Sequence, residues 1–179
     1  MAKLTIPTSG LWSTIAALFN SMFDELFGRN GYASYTDTQY DAGAPFSVLA
    51  NTDTILPNNA GIIYDEQKPT DITTFYDGKI TGRDGDGLAV MIYFKATSSS
   101  IDQWLDIWID IGGAVGELYR DTKTFPKGTS TERGILYSLP AAYTRSTWET
   151  NKGTVYVRSN APFTCYGMNY NLGRTSKAR

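Results

Sequence analysis

Hydrophobic and polar residues alternate almost one for one between residues 101 and 111. Ile101, Leu105, Ile107, Ile109 and Ile111 fall on one face of an extended chain, and Asp102, Trp104, Asp106, Trp108 and Asp110 on the other. Alternation at period two marks a strand with one face in a core. The segment therefore predicts a half-buried antiparallel strand that stops at Gly112 and Gly113. Leu88, Val90, Ile92 and Phe94 repeat the pattern over 88–96. Further candidate strands are 32–36, 46–49, 61–64, 71–76, 115–120, 133–139, 153–158 and 162–171. Turn formers punctuate them at 41–43, 57–59, 77–78, 84–87, 112–113, 126–128 and 151–153. Short strands at this spacing predict an all-β fold, an antiparallel jelly-roll sandwich.

Before residue 31 the period changes. Leu11, Trp12, Ile15, Leu18, Phe19, Met22, Phe23, Leu26 and Phe27 recur at steps of three and four. That spacing lays them along one wide stripe of a helix. Ser9 suits the N-cap, Gly28 the stop, and Pro7 keeps the preceding residues extended. The predicted helix is roughly 25 Å long at ~1.5 Å per residue. It belongs to an N-terminal arm, 1–31, ahead of a β domain, 32–179. So broad an apolar stripe needs a cover, from its own domain, from other copies or from a larger assembly. Asp24 and Glu25 stand where membrane-surface helices carry Lys and Arg. Ser13, Thr14, Asn20, Ser21, Asp24 and Glu25 interrupt the stripe too often for a membrane span. A cleaved signal also fits poorly, because only Lys3 precedes the apolar part.

Composition narrows the chemistry. The chain has no histidine, which removes every Ser-His or Cys-His catalytic arrangement and every His-ligated metal. Cys165 is the one cysteine, so no disulfide framework forms, and its apolar surroundings predict a buried strand thiol. A net charge of −2 gives no electrostatic basis for nucleic-acid binding. The basic residues Arg174, Lys177 and Arg179 read as a solvated tail. No phosphate-binding glycine motif occurs, and no cofactor is expected.

Two acidic groups merit weighing. Asp84 and Asp86 begin like a calcium loop, but Leu88 and Lys95 stand where an EF-hand needs ligands. A hairpin turn is the plainer reading, with a weak calcium pair as the alternative. Asp102, Asp106 and Asp110 lie about 13 Å apart in steps of four at ~3.3 Å per residue. Paired glycosidase carboxylates sit about 5–9.5 Å apart, so one strand cannot supply them. Trp104, Trp108 and Asp106 are instead a candidate interface, a face covered by the chain's own loops, or a face on which sugars stack.

Five segments together carry a resemblance: Tyr35-Thr-Asp-Thr-Gln-Tyr40, Thr54-Ile-Leu-Pro-Asn-Asn59, Leu105-Asp-Ile-Trp-Ile-Asp-Ile-Gly-Gly113, Asp121-Thr-Lys-Thr-Phe-Pro-Lys-Gly128 and Leu172-Gly-Arg-Thr175. The chain resembles tailed-bacteriophage virion proteins with a jelly-roll domain of tumour-necrosis-factor or C1q-like type, over about 32–174. The resemblance implies a homotrimer with no catalytic residues, located in the virion and made in the host cytoplasm. The role it favours is a capsid decoration, or cement, protein. Its arm and helix would grip the major capsid protein on the outer surface of the head. The alternative is a head-fibre or short tail-fibre module that binds host-surface glycans, with Trp104, Trp108 and Trp148 available for stacking. A glycan-cleaving enzyme is a distant third.

Overall fold

The structure is a computed structural model, described for residues 14–19, 22, 31–64, 73–125 and 132–177. Among the described residues twelve strands run in chain order: β1 (Gly31–Thr36), β2 (Phe46–Val48), β3 (Thr54–Ile55), β4 (Ile62–Tyr64), β5 (Phe75–Tyr76), β6 (Lys79–Ile80), β7 (Gly87–Ser98), β8 (Trp104–Asp110), β9 (Glu117–Thr124), β10 (Glu132–Tyr143), β11 (Thr154–Ser159) and β12 (Phe163–Ser176). The first sheet has the order β10-β7-β12-β1-β4, with β2 beside the start of β12. The second has the order β3-β11-β8-β9, and β5 and β6 form a separate hairpin. All pairings are antiparallel. The pairs β1–β12, β3–β11, β7–β10 and β8–β9 nest around the β8–β9 hairpin, the winding of a jelly-roll-like sandwich.

The period-two pattern explains the core. Leu88, Val90, Ile92 and Phe94 of β7 all point inward and are buried, as expected. They meet Leu105, Ile107 and Ile109 of β8 and Val155 and Val157 of β11 in one apolar cluster. Irregularities sit where the sequence can carry them. In β12, Gly167 and Met168 oppose the single residue Phe94, and Gly167 takes φ +64°. Such a bulge favours glycine because a Cβ is strained at positive φ. In β10, Pro140 and Ala141 oppose Ala89. Proline lacks an N–H, and a bulge on an edge strand asks for none.

Four expectations change. The signature strand begins at Trp104, not Ile101. Ile101 is exposed, and Asp102 takes φ +53° in a turn. Gln103 organises that turn: it is fully buried, accepts the Ser99 and Ser100 N–H groups and donates to Ser159 Oγ at 2.9 Å. Arg174 is not in a solvated tail. It lies in β12, pairs with Leu88 of β7 and is 1% exposed, with its guanidinium 3.9 Å from the Asp86 carboxylate. Trp148 is not a surface aromatic. It is the inward residue of a short helix, Ser146–Asn151, and its Nε1–H donates to the Ile80 carbonyl at 3.1 Å. Lastly, the strand expected at 71–76 narrows, in its described part, to β5.

Cys165 is buried in β12, and burial pushes its thiol up to about 12. Only the thiolate is a good nucleophile. Native protein at pH 8 is therefore expected to resist alkylation by iodoacetamide, and unfolded protein to react at once. Rapid labelling of the native chain, read by mass spectrometry, would contradict this burial.

Candidate interaction surfaces

The outward face of the second sheet is covered by the chain itself. The bulge in β9 sets Tyr119 and Arg120 opposite the single residue Trp108, with Tyr119 at φ +56°. It lays the Arg120 guanidinium 3.9 Å from the Trp108 ring centroid. Tyr156, opposite Trp108 on β11, stacks on it at 5.7 Å and 14°. Trp108 is consequently 3% exposed. Asp106 accepts from Arg120 Nη1 at 2.7 Å and from Thr122 Oγ1 at 2.6 Å. Arg120 also bonds Glu117 through Nε at 2.6 Å. That bond holds the guanidinium above its ordinary value and the Glu117 carboxyl below its own. Arg158 pairs with Asp53 further along this face. Trp104, Trp108 and Asp106 thus share a face as expected, but only Trp104 stays part-exposed. Its charges are matched in place, so a partner gains little there.

The outward face of the first sheet is different in kind. Register aligns Leu136, Tyr93, Asn169, Thr36 and Ile62 in one row across five strands. The next row holds Ser138, Met91, Asn171, Ser34 and Tyr64, and a third holds Ala89, Gly173 and Tyr32. No charged residue occurs in the three rows. Their polar groups are matched internally: Asn169 Nδ2 donates to Ser34 Oγ at 2.9 Å and Thr36 Oγ1 at 2.7 Å, and Asn171 Nδ2 donates to Asn169 Oδ1 at 2.6 Å. Leu136, Tyr93, Met91, Tyr32, Ile62 and Tyr64 remain exposed. Charge returns at one end, where Lys95 pairs with Glu132 at 3.0 Å. The face ends at β4, an edge strand whose Ile62, Ile63 and Tyr64 are all exposed. An uncovered apolar edge beside an uncharged face is a site of association unless something caps it. The sequence hid this face because its residues come from five separate strands.

In the N-terminal arm, residues 14–19 and Met22 are helical. Leu18, Phe19 and Met22 are 60%, 47% and 56% exposed, and Ile15 is part-buried. Leu11, Trp12, Phe23, Leu26 and Phe27, with both helix ends, lie outside the described residues. No described helix is long and apolar enough to cross a membrane.

Asp84 and Asp86 do not converge. Asp84 is exposed and Asp86 is fully buried near Arg174. Among the described residues no group of three or more Cys, Asp or Glu side chains is placed to hold a metal ion.

The sandwich is similar to Eiger TNF from S. frugiperda, at 11% identity and a TM-score of 0.51, over 84% of this chain and 96% of that one. The PRD1 vertex protein P5 aligns at 12% identity and a TM-score of 0.44, over 82% and 97%. A chain of the infectious bursal disease virus Gx strain aligns at 10% and 0.44, over 81% of this chain and 32% of that one. No protein-family model and no curated protein matches the sequence. The Eiger alignment spans 84% of this chain and 96% of that one, and at this identity what the two have in common is the fold, an antiparallel jelly-roll-like β-sandwich.

Proposed function

We propose that this is a structural virion protein, a capsid decoration or cement protein of a tailed bacteriophage. In this reading residues 1–31 anchor it to the major capsid protein on the outer surface of the head. Residues 32–179 form the β domain, which assembles as a trimer. The observation that carries the anchor is that Leu18, Phe19 and Met22 stay exposed although the chain has a complete sandwich of its own. Three exposed apolar side chains grouped on one helical segment fit a groove on another protein. Burying three such side chains contributes on the order of 5 kcal/mol before ordering costs, at about 1.5–3 kcal/mol each.

The uncharged face of the first sheet supports self-association. Cores of subunit interfaces are depleted in charge, and closed cyclic assembly buries such a face without open-ended growth. The second sheet, with its charges matched in place, suits the solvent-facing side. The resemblance of the sequence to virion proteins supports a place in the virion. A fibre that stacks glycans on the tryptophans has less support, because Trp108 and Trp148 are buried.

The test is add-back of purified protein to phage heads that lack it. Ordered trimers on the shell, with raised thermal stability of the heads, are the expected result. A variant with Leu18, Phe19 and Met22 all changed to Ser should still form trimers but lose at least a hundredfold in head affinity. Undiminished binding of that variant would sink the anchor, and recovery of the protein on the tail would sink the cement role.

A further inference from the structure

A cleft of about 460 Å³ opens between the Pro57–Ala60 segment and the β5–β6 hairpin. That volume lies within the range of about 300–1,000 Å³ usual for small-molecule sites. Its walls are built before any ligand arrives. On one side, Asn58 Nδ2 donates to the Tyr35 carbonyl at 2.9 Å, and its Oδ1 accepts the Ala60 N–H at 2.8 Å. Asn59 Oδ1 accepts the Thr38 and Gly61 N–H groups at 3.0 and 2.9 Å. On the other side, Asp77 at φ +52° and Gly78 at φ +71° close a two-residue hairpin turn. Phe75 is anchored in the core against Tyr35 and Tyr170, at 4.9 and 5.5 Å between ring centroids. The next residue, Tyr76, stands 61% exposed at the lip. Lys152 Nζ sits 4.4 Å from the centroid of its ring.

The chemistry of the lining selects a ligand class. Gln39 offers an amide donor and acceptor. Asn59 offers the second N–H of its amide, whose Oδ1 already accepts two N–H groups and whose Nδ2 donates to Thr38 Oγ1 at 3.2 Å. Asp77 offers a carboxylate with no hydrogen bond or ion pair among the described residues. Tyr76 offers a polar tip and the ring face opposite the one that Lys152 covers. An anion would meet the Asp77 carboxylate. A metal ion would find one carboxylate where it needs several. A wholly apolar ligand would strand the amides. A neutral sugar meets each requirement, since its hydroxyls both donate and accept and its C–H face stacks on an aromatic ring. We propose that this cleft binds a neutral sugar residue, with Tyr76 stacked on the ring and Asp77, Asn59 and Gln39 holding its hydroxyls.

The site is independent of head binding and uses none of the tryptophans of β8. Its test is saturation-transfer NMR on the full chain with free glucose, galactose, mannose, rhamnose and N-acetylglucosamine, each at millimolar concentration. Transfer to the ring protons of at least one sugar is expected. Tyr76→Ala and Asp77→Gly should each weaken binding on the order of tenfold or more. Glycine keeps the positive φ of that turn. Tyr143→Ala, at an exposed tyrosine outside the cleft, should change nothing. No transfer from the wild type to any sugar of the panel would overturn the site, as would full binding by Tyr76→Ala. Head occupancy measured on the same variants should stay at the wild-type level, so the two readings fail separately.

Discussion

Ile107→Asp is expected to leave no folded sandwich. Ile107 is 0% exposed in the middle of β8, hydrogen-bonded between β11 and β9. Its side chain points into the apolar cluster between the sheets. An unpaired buried charge costs several kcal/mol, and losing the buried Ile side chain costs about 2–5 more. A single domain has only about 5–15 kcal/mol in total. Circular dichroism and thermal melting are expected to show an unfolded or aggregated chain, whereas Ile107→Val should lose about 1 kcal/mol. A cooperatively folded Ile107→Asp variant would mean that β8 presents its other face to the core.

Met91→Asp should convert a trimer into folded monomers. Met91 lies mid-row on the uncharged face, between Ser138 and Asn171 across the sheet and between Ala89 and Tyr93 along β7. It is exposed in the isolated chain, so the substitution leaves the core intact. In a trimer closed over this face, the new carboxylate would be buried without a partner, at several kcal/mol per copy. Each 1.4 kcal/mol is tenfold, so subunit affinity should fall about a thousandfold or more. Light scattering on the eluting peak reads the mass directly, and Met91→Leu should remain trimeric. A trimer that survives Met91→Asp would move the contact to another surface, and a monomeric wild type would remove it.

Most long strands were legible because their inward residues recur at period two: β7, β8, β10, β11 and β12 lie close to their expected positions, whereas β9, expected at 115–120, runs Glu117–Thr124 and has no run of buried residues at that period. The turn at Asp77-Gly78 was legible because that pair tolerates positive φ. The pairs β3 and β6 were not, since two residues carry no period. Nor was the helix at Ser146–Asn151, which turns only Trp148 inward. Arg174 misled because charge near a terminus usually means solvent. Its burial follows from β12 continuing to Ser176 between β7 and β1, with Asp86 nearby.

The amino-acid order alone therefore determined the all-β class, most strand positions and the inward faces of β7 and β8, because alternation is a property of neighbours along the chain. Only the tertiary structure decided which outward faces are occupied. In sequence, Trp108 and Asp106 fit an interface, a self-covered face or a sugar-stacking face alike, and the bulge in β9 that lays Arg120 over them decides for the chain's own cover. The uncharged face exists only once register brings Leu136, Met91, Asn169, Ser34 and Ile62 side by side from five strands. Hydrogen-bond register sets such neighbourhoods across the sheet, and no local period in the chain records it.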